Sequence, residues 1–192
     1  MAIDLFFQTM ERLTPQLRAG DLAGCEIAVA DTLRGLLKTP FHIATSLDIA
    51  NDPSEAARHF DEFYRVESRR QVIHAVYTEM NGFDINPDRW YCDLLAYTAD
   101  GGLEDFDWLS NWHSEPFADY TITGLESLQA VYASKAFHDP ANTDASYLST
   151  LLVVAKFQRF MQQAGERMSA LRVPLYVTAH DFDYIARLLP VE

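Results

Sequence analysis

The spacing of apolar residues predicts helices towards both ends of the chain. Phe6, Met10, Leu13 and Leu17 recur every three or four positions, which places their side chains on one face of a helix. A second run of this kind follows a Gly-Asp turn, so the first forty residues are expected to form an N-terminal helical hairpin. Residues 144–171 are apolar on more than one side, which is typical of a long helix buried between neighbours.

Runs rich in β-branched and aromatic residues predict strands near positions 41–49, 71–80, 89–98 and 173–179. Turn-forming residues fill positions 81–88 between two of these runs, which favours an antiparallel hairpin with a long loop. Both runs of this hairpin are apolar at nearly every position, so we expect them at the centre of the sheet. Positions 182–188 are expected to form a short terminal helix.

Together these elements predict an α+β fold in which helices cover a mostly antiparallel sheet. The clearest helix start is Asp52-Pro53-Ser54-Glu55, because Asp52 is placed to cap the first turn and proline suits the first helical position. No internal repeat or long linker divides the sequence, so residues 1–192 are expected to form a single globular domain.

The composition narrows the choice of partners and of compartment. The chain has 28 acidic and 15 basic residues and a formal net charge of −13. This balance disfavours nucleic acid and anionic membranes, because both require a basic surface. Cys25 and Cys92 lie in apolar runs and are expected to be buried free thiols. The first residues resemble neither a signal peptide nor a membrane span, so a cytoplasmic location is expected.

Negative charge is concentrated between Arg89 and Lys135, a stretch that contains no basic residue. This stretch holds eight acidic residues and all three tryptophans. Its central part, residues 103–119, is called the acidic segment below and combines Trp108 and Trp112 with clustered carboxylates. Such crowding is costly unless the rings fold inward and the carboxylates face water or serve a purpose.

No motif in the sequence identifies a cofactor, a metal or a catalytic nucleophile. A Gly-x-Ser-x-Gly elbow and a glycine-rich phosphate loop are absent from the sequence, and no histidine pair has metal-ligand spacing. We therefore expect neither a cofactor nor a metal ion. His180 and Asp181 follow a predicted strand, where functional residues often collect. The favoured interpretation is nevertheless that Asp181 caps the terminal helix while His180 bonds to backbone.

The acidic segment allows three functional interpretations and one structural interpretation. Clustered carboxylates suit calcium or magnesium, paired carboxylates beside tryptophan suit sugar chemistry, and aromatic anchors ringed by acids suit a protein interface. In the structural interpretation Trp108 and Trp112 are core residues, and the acids form their solvated rim. As a partner-binding face the segment would use Glu104, Asp105, Asp107, Trp108, Trp112, His113 and Glu115.

The compact, acidic and motif-poor character of the chain resembles that of bacterial immunity or antitoxin-type proteins, which neutralise a partner by shape and charge. The resemblance is one of composition and rests on no motif. It implies a non-enzymatic module that engages a basic protein through the acidic segment. The alternative is a hydrolase or small-molecule-binding domain whose polar site lies in the same segment and uses its carboxylates and His113.

The protein-binding interpretation predicts the effect of neutralising the carboxylates of the acidic segment. Replacing Glu104, Asp105 and Asp107 with Gln or Asn should preserve folding, because it relieves repulsion between like charges. It should slow association with a basic partner and flatten the salt dependence of the association rate, because rim charges mainly steer encounter. Stopped-flow measurements over a series of salt concentrations test this. Unfolding of the triple variant would contradict the interpretation.

Overall fold

The computed structural model describes residues 2–190, and it describes side chains from residue 5 onwards. Within this range the helices are α1 Ala2–Arg18, α2 Leu22–Arg34, α3 Pro53–Ser68, α4 Glu126–Tyr132 and α5 Thr143–Gly165. The strands are β1 Ala75–Asn81, β2 Tyr91–Tyr97, β3 Tyr120–Thr121, β4 Leu175–Ala179 and β5 Ala186–Leu188. These elements confirm the α+β fold class, the N-terminal helical hairpin and the long helix.

The strands form one sheet in the order β3-β2-β1-β4-β5. The predicted hairpin is confirmed, because β1 pairs antiparallel with β2 and lies in the middle of the sheet. The pairing of β1 with β4 is parallel, whereas β4 pairs antiparallel with β5. The sheet is therefore mixed, although most of its pairings are antiparallel.

The two faces of the sheet pack against different layers. Side chains of one face, here called the inner face, join the main core with the helices. On the outer face Tyr77, Tyr97 and Tyr176 form a second apolar cluster beneath Trp108 of the acidic segment. The Trp108 ring lies 4.8 Å from that of Tyr97 and 5.1 Å from that of Tyr176. Both faces of β1 are covered at its first residues, which explains why Ala75, Val76 and Tyr77 are apolar in succession.

Helix α5 lies at the centre of the main core. Phe157 is fully buried and Phe160 is 5% exposed, as expected for a helix that is apolar on several sides. The buried Gln158 amide donates hydrogen bonds to the carbonyl oxygens of Val177 and Tyr184, which ties α5 to β4. The helix ends at Gly165, earlier than predicted. No helix within residues 2–190 is long and apolar enough to cross a membrane.

The strand predicted for residues 41–49 is wrong, because Pro40–Thr45 form a short 3₁₀ helix. Proline occupies its first turn, the Thr39 hydroxyl accepts a hydrogen bond from the Phe41 amide, and the His42 ring accepts one from the Thr39 amide. Phe41 and Ala44, three positions apart, are the buried residues. The local cap and the three-residue period therefore outweigh the alternating pattern.

The terminal helix predicted for residues 182–188 is also wrong. Asp181 has a positive φ of 61° and turns the chain, so Ala186–Leu188 return as strand β5 beside β4. The apolar residues of this stretch pack on both sides of the sheet edge, since Tyr184 joins the main core and Ile185 joins the outer cluster. Alternation between two layers, and not a helical stripe, accounts for their spacing.

The turn before β4 is held by a buried carboxylate of α3. Asp61 is 4% exposed and accepts hydrogen bonds from the backbone amides of Ser169, Ala170 and Leu171 and from the Ser169 hydroxyl. Burial alone would raise the pKa of Asp61, but these hydrogen bonds outweigh it and lower the pKa below its ordinary value. Asp61 thereby fixes where β4 begins relative to the helices.

The burial of α5 predicts the cost of truncating its aromatic residues. Phe160→Ala should lower the free energy of unfolding by about 3–5 kcal/mol, because it removes a buried ring and leaves a cavity. Phe7→Ala serves as the control, since Phe7 is 56% exposed. Urea denaturation of both variants measures the difference. A loss below about 1 kcal/mol for Phe160→Ala would contradict the core position of this residue.

Candidate functional site

The part of the acidic segment around Trp108 and Leu109 packs on the outer face of the sheet, and we call it the cover. A cavity of about 590 Å³ opens on the same face beside this cover. Alternation along β1 and β2 explains its position: Tyr77 and Leu95 face each other beneath the cover, and Glu79 and Asp93 face each other at the next outward positions. The carboxylates therefore line the cavity beside the aromatic layer. We call this space the acidic cavity.

Glu79 and Asp93 bring two like charges into direct cross-strand register. The Asn81 side-chain amide donates a hydrogen bond of 2.6 Å to the Asp93 carboxylate. Burial, followed by repulsion from Glu79, raises the pKa of Asp93 above its ordinary value. The arrangement thus concentrates negative charge that the surrounding residues neutralise only in part.

His180 completes the cavity from the end of β4. Parallel pairing places the end of β4 beside the end of β1, and the His180 backbone amide donates to the Met80 carbonyl at 3.1 Å. The His180 Nδ1 atom lies 2.8 Å from a Glu79 carboxylate oxygen, and the Tyr77 hydroxyl donates to the other oxygen at 3.1 Å. The hydrogen bond to Glu79 raises the pKa of His180.

The second half of the acidic segment forms a wall of the cavity and is pinned to neighbouring elements. The His113 amide donates to the Ala96 carbonyl at 3.0 Å, and the Ala96 amide donates to the Ser114 hydroxyl at 3.1 Å. Arg70 pairs with Glu115 at 2.8 Å. These bonds hold Trp112 at the rim, where 52% of its surface remains exposed.

The structure separates the seven partner-binding candidates into three groups. Trp112 and Glu115 line the acidic cavity. Trp108 is half-buried in the aromatic layer, and the exposed His113 is held through its backbone. The three remaining acids, Glu104, Asp105 and Asp107, are exposed and do not line the cavity.

The acids outside the cavity make local contacts on the surface. Glu104 pairs with Arg18 of α1 at 3.0 Å. The Asp105 carboxylate accepts a hydrogen bond from the Asp107 amide at 2.9 Å, which starts the 3₁₀ turn Asp107–Ser110. Their position suits long-range electrostatic influence more than direct contact with a ligand inside the cavity.

Sequence reasoning did not identify Glu79, Asp93 or the His180–Glu79 contact. The available signal was a single acid within each of two mostly apolar strand runs. A carboxylate in such a run needs either solvent or a partner. The prediction that Asp181 caps a terminal helix is wrong, because β5 follows it, and the His180 ring contacts Glu79 while only its backbone amide bonds to backbone.

Neither metal geometry nor similarity to known proteins assigns a chemistry to this site. Among the described residues, no group of three or more His, Cys, Asp and Glu side chains is arranged to hold a metal ion. Comparison with protein-family models, curated proteins and solved structures found no match. Interpretation of the acidic cavity therefore rests on its own residues.

The contact between His180 and Glu79 predicts a pH-dependent change in the cavity. In Glu79→Gln the pKa of His180 should fall, because the carboxylate that stabilises the imidazolium is lost. The stabilising Glu79–His180 ion pair should be present below the ordinary histidine pKa and disappear as pH rises through the raised pKa of the folded protein. NMR titration of the His180 ring protons measures both effects.

Glu104→Gln provides the control, since Glu104 pairs with Arg18 and does not line the cavity. The pKa of His180 should be unchanged in this variant. An equal shift in both variants would mean that overall charge sets the pKa of His180, and not its contact with Glu79.

Proposed function

We propose that this protein is a non-enzymatic binding module that engages a basic protein partner and takes a lysine or arginine side chain of that partner into the acidic cavity. The proposal rests chiefly on Glu79 and Asp93, which lie side by side in an open cavity with aromatic walls. A cation that enters the cavity would meet both carboxylates.

The charge balance around the cavity supports a cationic ligand. The basic groups that lower the pKa of Asp93 are Arg89 and His180. Arg89 is already engaged by Asp119 and stacks over the Tyr91 ring at 4.5 Å. A hydrogen bond between an added cation and these carboxylates would contribute about 1.5–3 kcal/mol, since bonds to charged groups are the stronger ones.

The aromatic lining supports the same class of ligand. Tyr77, Tyr97, Trp112 and Phe117 border the cavity, and aromatic faces attract ammonium and guanidinium groups by about 0.5–2 kcal/mol. Trp112 is exposed at the rim, where tryptophan often anchors a protein interface. The cavity therefore offers both charge and ring contacts to one basic side chain.

The exposed acids of the acidic segment have a separate role in this proposal. Glu104, Asp105 and Asp107 lie outside the cavity and face solvent. Exposed charges of this kind accelerate the encounter with an oppositely charged protein more than they hold it once bound. We infer that association depends on these acids and that dissociation depends on Glu79 and Asp93.

One contact favours a second candidate, a hydrolase or small-molecule-binding domain. Glu79 orients His180 through a bond of 2.8 Å at the cavity, and an oriented imidazole is suited to act as a general base. In that case His180→Asn would abolish turnover of a substrate. In the binding module it would leave capture of a cation intact, because the carboxylates remain.

Short capped peptides test whether the cavity selects a cation. Gly-Lys-Gly and Gly-Arg-Gly should shift the amide resonances of Glu79 and Asp93 and the Trp112 indole resonance. Gly-norleucine-Gly, which has a side chain of similar length without charge, is the peptide control. Binding should tighten as pH rises through the pKa of His180, because the imidazolium competes for Glu79.

Two variants that each remove two negative charges separate the cavity from the surface. Glu79→Gln with Asp93→Asn should weaken binding of Gly-Lys-Gly about tenfold, as expected for a lost charged hydrogen bond. Glu104→Gln with Asp107→Asn should leave the peptide affinity nearly unchanged. Thermal unfolding midpoints establish that both variants fold. Equal binding of the norleucine peptide, or equal weakening by the two variants, would exclude the proposal.

A further inference from the structure

A second cavity of about 310 Å³ adjoins the acidic cavity at His180. His180 lines both cavities, so the two spaces meet at this residue. The second space, which we call the apolar cavity, is bordered by Phe83, Ile85, Phe137, Tyr147 and Phe182. These residues come from the β1–β2 loop, the segment after α4, helix α5 and the turn after β4.

Backbone strain is concentrated at this cavity. Among the described residues, the non-glycine residues with positive φ are Phe83 at 60° and Asp181 at 61°, and both line the apolar cavity. A bulky residue such as Phe83 adopts this conformation only when its surroundings enforce it. Its ring packs 5.0 Å from that of Trp90 and 5.7 Å from that of Tyr132, which holds the loop in place. Strained residues cluster at ligand-binding positions, so this loop has the character of a preformed wall.

The polar groups on the α5 side of the cavity are already satisfied. The hydroxyls of Thr143, Ser146 and Thr150 donate to backbone carbonyl oxygens at 2.8–3.1 Å. Hydroxyls that already donate to backbone carbonyl oxygens place little demand on a ligand for further hydrogen bonds. The wall therefore suits an apolar group.

Two exposed apolar residues and two acids define the rim. Ile85 is 64% exposed and Tyr147 is 39% exposed, so both offer surface that a ligand would remove from water. Asp84 and Asp181 are exposed at the same rim. Their charges favour a basic partner over an acidic one.

We infer that the apolar cavity binds an aliphatic or aromatic side chain from the same partner that places a basic side chain in the acidic cavity. The ligand is thus an extended peptide segment with a basic and an apolar residue close in sequence, whose side chains enter the two cavities that His180 borders. This inference rests on the proposed function, since it assigns the basic residue to the acidic cavity.

Capped peptides that carry one or both side chains test the inference. NMR titration would compare Gly-Lys-Gly, Gly-Gly-Phe, and peptides in which Lys and Phe are adjacent, in either order, or separated by one glycine. At least one peptide with both residues should bind about tenfold more tightly than Gly-Lys-Gly, as expected for burial of one large apolar side chain. Gly-Gly-Phe should shift the resonances of residues that line the apolar cavity, such as Ile85 and Tyr147, and not those of Glu79 and Asp93.

Single substitutions in each cavity assign the effect to one or the other. Ile85→Ser should remove the advantage of the peptides with both residues while leaving Gly-Lys-Gly unaffected. Glu79→Gln should weaken every peptide that contains Lys. Val72→Ser is the matched control, because Val72 is 72% exposed and lines neither cavity.

The outcomes separate this inference from the proposed function. If Gly-Lys-Gly binds but an added Phe brings no gain, the apolar site is excluded and the acidic site stands. If Gly-Gly-Phe shifts Ile85 but Gly-Lys-Gly does not bind, the apolar cavity binds an apolar group and the proposed function is excluded. Loss of a dimer in Ile85→Ser, measured by sedimentation, would assign the cavity to a second copy of the chain and overturn the inference.

Discussion

The cover over the outer face of the sheet is the constraint on which the site depends. Tyr77, Tyr97 and Tyr176 occupy neighbouring strands on that face, and without Trp108 above them a large aromatic surface would meet water. The Tyr97 hydroxyl donates to the Leu109 carbonyl at 3.0 Å, which anchors the cover. Because the cover stops before Glu79, the same packing that buries the tyrosines leaves the acids accessible.

The parallel pairing of β1 with β4 adds the histidine to the site. It brings the end of β4 to the end of β1, so that His180 meets Glu79, which lies 101 positions earlier in the sequence. Parallel strands present their carboxyl ends at one edge of a sheet, and ligand sites often lie at such edges. His180 contacts a carboxylate in one cavity and lines the other.

Local patterns predicted the elements whose neighbours are close in sequence. The β1–β2 hairpin and helix α5 follow from apolar runs and turn residues alone. The strand prediction for residues 41–49 is wrong because alternation over a few positions also fits a capped 3₁₀ turn. The site was less accessible to prediction, since no local pattern encodes a parallel pairing with a distant strand. The proximity of Glu79 to Asp93 follows only from the cross-strand register of the hairpin, which the sequence does not specify.

The separation in sequence between β1 and β4 also affects the order in which the strand pairings form during folding. The β1–β2 hairpin closes a short loop, whereas Val76 meets Leu175 only after the intervening chain has been made and arranged. Pairings between distant segments carry a larger entropy cost and form more slowly. Glu79 and Asp93 are therefore expected to face each other earlier in folding than His180 joins them, because the two carboxylates depend on the hairpin alone and the imidazole depends on a distant strand.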